Sequence, residues 1–388
     1  VSTKGASVAS ATLLKYRENV EKDSAPLSFN YDSSRAFALN GLIGAGKNDD
    51  FSIIESSNTS AVLQRKLPSG AILTRKITLV NNYQVKLEEV ITAPDEHPVE
   101  IPSTSIAIGS LSRQSRGNTA ILSVDNLPAT PMGGKPQKVF HWERKRLLYK
   151  MFTGVNGGGG CASAPDGALF PPSVSQTSSE PQEWVALKTR FFTQALTSDD
   201  SASAGFSITA TRSTEKGSLS VKSVSGELLL PSISVEKGGK YERSFRLYIG
   251  PKKLSIIRSF ARNSSDIMEF GTFKWLCVIL IPILNGLNAV FHNYGVAIIV
   301  LTILVRLLFW PLTRKSNESM KKMGKIQPLL KEIQAKFKDD PQKLQQETMR
   351  LYRENHVNPM SSCFPMLIQI PVFIALFVVL RTATELRF

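Results

Sequence analysis

The sequence predicts an antiparallel β-sandwich followed by an α-helical membrane region. Three observations carry that expectation. Much of residues 1–250 alternates apolar and polar side chains with a period of two, punctuated by Ser, Thr, Gly and Asn clusters. Nearly all the long apolar runs fall in residues 270–388. One of them, residues 294–312, is about 30 Å long as a helix and yet contains an arginine, Arg306.

In the first part, residues 71–80 and 83–91 alternate around Asn81-Asn82, which reads as two strands joined by a tight turn. Residues 217–230 and 241–249 alternate similarly. The longest interruption, Gly157-Gly-Gly-Gly160 through Pro181, reads as a flexible surface loop. Few segments show helical periodicity. Histidine occurs here only as His97 and His141, and no recognisable catalytic constellation is present.

The character changes after Gly250-Pro251. Residues 252–269 read as a charged, helical linker. Residues 270–291 are apolar but interrupted by Lys274, Pro282, Asn285, Gly286 and Asn288. They make a poor membrane-crossing helix and a better one lying in the interface, where the polar positions meet headgroups. In the next helix, Arg306 costs about 2.5–3.5 kcal/mol at the centre of a bilayer. Two accounts fit it. Its head can snorkel to the interface near Pro311, or it faces a wet cavity or a protein partner. Thr302 lies four residues earlier on the same helical face, and a polar stripe explains both residues at once.

Residues 313–358 are basic, with Arg314, Lys315, Lys321, Lys322, Lys325, Lys331, Lys336, Lys338, Lys343, Arg350 and Arg353 against six acids. That excess beside a membrane helix marks the cytoplasmic side and leaves the β domain outside. Met320, Met323, Ile326, Leu330, Ile333 and Phe337 recur at helical spacing. Asp339-Asp340-Pro341 breaks the chain before Leu344, Met349 and Leu351-Tyr352, so a helical hairpin is expected. Its basic residues form either a solvated face near anionic lipid or a docking surface. Asn358-Pro359 ends the hairpin. Residues 364–380 read as a second membrane helix returning outward, bent at Pro365 and Pro371, with Gln369 as its one strongly polar interior residue.

The 388 residues allow two or more domains, and the net charge of +15 suits nucleic acid or anionic lipid. No zinc-finger spacing, RNP-like aromatic motif or Gly-Lys-Ser/Thr phosphate loop is present, which argues against direct DNA binding. Cys161, Cys277 and Cys363 lie far apart and suggest neither a disulfide framework nor a metal site. The chain begins at Val1 and ends shortly after an apolar segment, as a fragment of a longer protein would.

Three runs carry a family resemblance: Asn293-Tyr-Gly through Thr302, Arg306 and Pro311-Leu-Thr313; Ser319-Met-Lys-Lys-Met323 with Gln327-Pro328; and Asn358-Pro359 through Cys363-Phe-Pro365-Met-Leu-Ile-Gln369-Ile-Pro371-Val-Phe373. They resemble the YidC family of membrane protein insertases over about a hundred residues. Trp184-Val-Ala-Leu-Lys-Thr-Arg-Phe-Phe192 and Leu247-Tyr-Ile-Gly-Pro-Lys252 look like the periplasmic domain of its Gram-negative-type members.

The resemblance implies a periplasmic β super-sandwich of galactose-mutarotase-like fold over residues 1–250, with no enzymatic role. It implies a linker and amphipathic interfacial helix over 251–293, a transmembrane helix over 294–312, a cytoplasmic hairpin over 313–359 and a transmembrane helix over 360–388. The α-helical insertase core would then be truncated, since the family has five membrane helices. Arg306, Thr302, Gln369 and Phe373 would line a hydrophilic groove that receives substrate. Ser361 and Ser362 stand where the family often has glycines. The implied location is the bacterial inner membrane, without cofactor or metal. The implied partners are nascent membrane proteins, the lipid bilayer, the Sec translocon, and the ribosome or signal recognition particle machinery.

The expected activity is therefore insertion and chaperoned assembly of membrane proteins, without covalent chemistry. A membrane-anchored carbohydrate-binding or epimerase-like protein is the alternative, and a channel or transporter with an extracytoplasmic binding domain is a third. Fold alone does not license the epimerase reading.

Overall fold

The computed structural model describes residues 1–18, 23–31, 34–80, 83–112, 123–129, 135–141, 172–199, 203–212, 221–338, 341–355, 364–382 and 384. The expected Asn81-Asn82 turn, Gly157–Gly160, Cys161, Asn358-Pro359, Ser361, Ser362 and Cys363 lie outside the described residues. The chain divides into two compact units: Val1–Met268 together with Thr382–Phe388, and Glu269–Arg381.

The first unit contains eighteen strands among the described residues. In chain order they are β1 (Ser10–Arg17), β2 (Pro26–Asn30), β3 (Leu39–Asn40), β4 (Ser52–Ser56), β5 (Ser60–Lys66), β6 (Ile72–Val80), β7 (Gln84–Thr92), β8 (Val99–Ile101), β9 (Thr104–Ser112), β10 (Ser123–Pro128), β11 (Gln137–His141), β12 (Ser173–Ser178), β13 (Gln182–Lys188), β14 (Phe192–Ser198), β15 (Gly205–Arg212), β16 (Val221–Leu230), β17 (Ile233–Val235) and β18 (Lys240–Pro251). A nine-stranded sheet runs β11-β10-β13-β14-β18-β7-β6-β5-β4, and a five-stranded sheet runs β12-β15-β16-β9-β3. Every pairing within both sheets is antiparallel.

The period-two pattern explains the sandwich. Leu73, Ile77, Leu87, Ile91, Phe245 and Leu247 of the larger sheet join one apolar core with Ile106, Ile108, Ile208, Val224 and Leu228 of the smaller. Gly226 on β16 lets the two sheets come close together. A Cβ there would lie 3.0 Å from Ile108 Cδ1 on its own sheet and 3.1 Å from Leu187 Cδ2 on the other. A side chain at this position would force the Ile108 and Leu187 side chains to shift.

The core also holds charge. Arg75, Glu89 and Arg243 are direct cross-strand partners on β6, β7 and β18, and all three are buried. Arg243 donates to Glu89 at 2.9 Å, and Arg75 lies 3.7 Å from the other carboxylate oxygen. Arg75 also donates to the carbonyls of Gly5 (2.7 Å), Ala6 (3.0 Å) and Phe37 (2.7 Å), which pins the N-terminal segment to the sheet. Burial pushes the Glu89 carboxyl up, but the Arg243 and Arg75 guanidiniums together outweigh that and hold it below its usual range.

The structure departs from the sequence expectation in three places. The interruption up to Pro181 contains β12, the edge strand of the smaller sheet. Its six residues, Ser-Val-Ser-Gln-Thr-Ser, carry almost no apolar signal. An edge strand needs only ladder bonds on one side, supplemented here by the Ser175–Thr209 hydroxyl contact at 2.7 Å. Residues 252–268, expected as a charged helical linker, do hold helical turns but pack on the sandwich as part of its compact unit. Helix α1 (Leu254–Ile257) and a 3-10 turn (Ser264–Met268) cover the outer face of the larger sheet. Trp184 Nε1 donates to Arg262 O at 2.9 Å, Arg246 donates to Phe260 O at 2.8 Å, and the Phe260 ring packs on Tyr248.

The second unit contains α2 (Lys274–Phe291), α3 (Tyr294–Lys336), α4 (Pro341–Glu354) and α5 (Phe364–Thr382). The third departure is α3, which is one helix of 43 residues rather than a helix ending at 312 and a separate one after it. Pro311 and Pro328 lie inside it. Each removes one backbone donor without stopping the helix, because the neighbouring turns remain bonded. At 1.5 Å per residue α3 is about 65 Å long, roughly twice a bilayer core, so its charged half projects beyond any membrane its apolar half enters. Pro341 opens α4, in the first-turn position where a proline costs nothing.

Candidate functional site

The apolar half of α3 is built from its cap onward. Asn293 is extended, and its side-chain oxygen accepts from the amides of Gly295 (2.8 Å) and Val296 (3.3 Å). That satisfies two of the amides a helix start leaves free. His292 just before it takes a left-handed φ of 53° and closes α2 through its amide onto Asn288 O. This short joint brings α3 back against α2. Cys277, Leu280 and Leu284 of α2 are buried, as are Ala297 and Leu301 of α3.

Three faces of α3 follow from the helical turn of about 100° per residue. Ala297 and Leu301 form the buried face. Ile299, Ile303, Leu307 and Trp310 form an exposed apolar face. Thr302, Arg306 and Thr313 form a polar stripe roughly 140° from the buried face. Thr302 is half-buried, and its hydroxyl donates to Ile298 O at 2.8 Å. Thr313 donates likewise to Phe309 O at 2.9 Å. Both protons are used within the helix, so the open polar capacity of the stripe is oxygen lone pairs and one guanidinium. Arg306 is exposed, and no ion pair to it occurs among the described residues.

Gln369 and Phe373 lie one turn apart on α5, both exposed, with Phe373 at 68%. Each pair of site residues thus shares a face of its own helix. No hydrogen bond among the described residues joins the Arg306 pair to the Gln369 pair. Helix α5 meets α2 instead, where the Cys277 thiol lies 3.7 Å from Ala375 O and Ala375 and Val379 are buried. A guanidinium in an apolar setting, with no ion pair among the described residues, attracts carboxylates or phosphates. No cluster of three or more His, Cys, Asp or Glu suited to a metal occurs among the described residues.

Sequence reasoning missed two features. The Arg75–Glu89–Arg243 ladder was legible in principle, since each residue occupies the inward phase of its strand, between Leu73 and Ile77, Leu87 and Ile91, and Tyr241 and Phe245. The burial of Thr384 in the first compact unit had no sequence signal.

An extramembrane β-sandwich that leads into helices with apolar exposed faces defines a class of membrane-associated proteins. Residues 271–291 and 294–314 are each long and apolar enough to cross a bilayer. Residues 1–283 match the family described as YidC periplasmic domain, and residues 286–388 match the one described as 60Kd inner membrane protein. The chain belongs to the YidC family.

A membrane protein insertase YidC from Syntrophobacter fumaroxidans is 31% identical over 99% of this chain and 66% of its own length. One from Syntrophus aciditrophicus is 47% identical over 37% of this chain and 27% of its own length. The chain spans just under two thirds of the first of these relatives. Among solved structures, the GalM/aldose epimerase homologue from C. elegans covers 64% of this chain and 94% of its own, at 11% identity and a TM-score of 0.38. A likeness at that score carries no weight for activity.

Proposed function

We propose that the full-length protein inserts integral proteins into the bacterial inner membrane and assists their assembly, through a groove to which the polar stripe on α3 and Gln369 and Phe373 of α5 both contribute. The observation that carries this reading is Arg306, a lone exposed charge in an otherwise uncharged helical stretch. A client must move a polar segment across hydrocarbon while its apolar helix enters lipid. A wet groove shortens that crossing, and the Arg306 charge draws acidic groups of the moving segment. The exposed apolar face of Ile299, Ile303 and Leu307 offers the client helix a path into lipid. Partitioning drives the step, at about 25 cal/mol per Å² of apolar area removed from water.

The same reading places the sandwich in the periplasm and the α3–α4 hairpin in the cytoplasm, with α3 and α5 as crossings. Thr384 supports it. This residue belongs to the sandwich's compact unit and is buried there, which favours an even number of crossings between Met268 and Thr384. Two crossings, α3 and α5, leave α2 in the interface. Lys321, Lys322, Lys325, Lys331 and Lys336 are exposed on the projecting half of α3, which suits contact with the ribosome or signal recognition particle machinery. The Sec translocon completes the set of partners.

Proteoliposomes holding the full-length protein should protect a translocated client tail from added protease well above empty liposomes. Equal protection in both sinks the reading. The topology has its own expected result: Ser316→Cys labels only from the cytoplasm and Ser175→Cys only from outside. Labelling of both from one side overturns the two-sided arrangement.

A further inference from the structure

We infer that Thr384 is a clasp: on leaving α5 the chain is fastened to the foot of the sandwich, at a site that receives a hydroxyl-bearing segment of this same chain. Thr384 is fully buried. Its hydroxyl points at two carbonyls at once, Phe191 O at 3.3 Å and Lys252 O at 3.5 Å. Those carbonyls lie side by side where β14 begins and β18 ends. Phe192 pairs with Pro251, and the Lys252 amide donates to Phe191 O at 2.7 Å.

The receiving site is built rather than incidental. Lys252 is buried, with Nζ donating to Thr189 O at 3.3 Å. The Thr189–Phe192 turn is closed by a backbone bond of 2.8 Å and by the Thr189 hydroxyl. Phe191 and Phe192 are buried against it. Lys252 O and Phe191 O are the two acceptors within reach of the Thr384 hydroxyl. Its single proton serves one of them at a time, Phe191 O being the nearer. Both the segment before residue 269 and Thr384 after residue 381 are thereby fastened within the sandwich's own compact unit. The entry anchor is the 252–268 cover over Trp184 and Tyr248, and the exit anchor is the clasp.

Only the sidedness of the clasp rests on the topology proposed above, and the test separates the two. The full-length protein, with native cysteines replaced by serine, carries either Thr384→Cys or the exposed control Ser175→Cys. A membrane-impermeant maleimide is added from either side. Thr384→Cys should label from outside about ten-fold more slowly than the control, remain unlabelled from the cytoplasm, and reach the control rate from outside once urea unfolds the sandwich. Labelling at the control rate in the native protein overturns the clasp and leaves the topology standing. Labelling from the cytoplasm alone overturns both.

A second measurement covers the case in which the cysteine variant fails to fold. Hydrogen exchange at the Lys252 amide should quicken about ten-fold in Thr384→Val and stay near wild type in Thr384→Ser. An unchanged rate in Thr384→Val overturns the role of the hydroxyl.

Discussion

Replacing Arg306 with alanine should reduce insertion of clients with acidic translocated tails by about ten-fold in the full-length protein, while Arg306→Lys keeps most of the activity. A ten-fold loss corresponds to about 1.4 kcal/mol. That is well within the roughly 4 kcal/mol that two unit charges 4 Å apart exert at an effective dielectric of 20. Lysine keeps the charge and loses the planar fork. Activity retained by lysine therefore identifies charge rather than geometry as the working property. Clients with neutral, strongly apolar segments should suffer less, because lipid partitioning already drives them. The measurement is protease protection of both client types in reconstituted membranes at equal insertase abundance. If Arg306→Ala inserts acidic-tailed clients as well as wild type, the guanidinium is a snorkelling residue and the polar stripe does not serve insertion.

Glu89→Gln should destabilise the sandwich by about 3–5 kcal/mol at pH 7, since removing one partner of a buried ion pair leaves the others uncompensated. Here two guanidiniums, Arg75 and Arg243, would face a neutral amide. The pH dependence has a definite sign. The folded carboxyl titrates below its ordinary value of 4.5. Its contribution is therefore complete above that value and disappears as the pH falls through the depressed folded value. The gap between wild type and Glu89→Gln should be widest near neutrality and should narrow on acidification below 4.5. Urea titration of the full-length protein, followed by proteolysis of the unfolded sandwich, measures it. A gap under 1 kcal/mol at pH 7, or one that widens in acid, would mean the ladder is not the charged network its geometry describes.

The fold class was legible because both of its periods are local. Strands with one buried face repeat every two residues, and the β6–β7 and β16–β18 regions display that repeat without help from the rest of the chain. The apolar half of α3 and the basic excess after it are equally local. The misread segments are those whose partners lie far away. β12 is polar because it is an edge, and nothing in its six residues states that β15 is waiting. Residues 252–268 look like a charged linker because the apolar members of the segment, Leu254, Ile257, Phe260 and Ile267, are few and irregularly spaced. Only the outer face of β13 and β18 makes them a cover. The membrane helix is expected to end at Leu312, just past Pro311, yet a proline's single missing donor is too small a perturbation to end a helix bonded on both sides.

For the candidate site, the sequence by itself determined the residues and their spacing on each helix: Arg306 one turn after Thr302, and Phe373 one turn after Gln369. Helical geometry depends only on position along the chain, so those faces were readable before any contact was known. The tertiary structure alone decided that α3 runs unbroken past Pro311, that Thr302 and Thr313 spend their protons inside the helix, and that Glu89 holds two buried arginines. It alone decided that a threonine beyond the last apolar helix is buried beside Phe191 and Lys252. Each of these is a meeting of residues distant in sequence, or a choice among bonds a side chain can make. No pattern along the chain encodes such a choice until the fold brings the competing partners together.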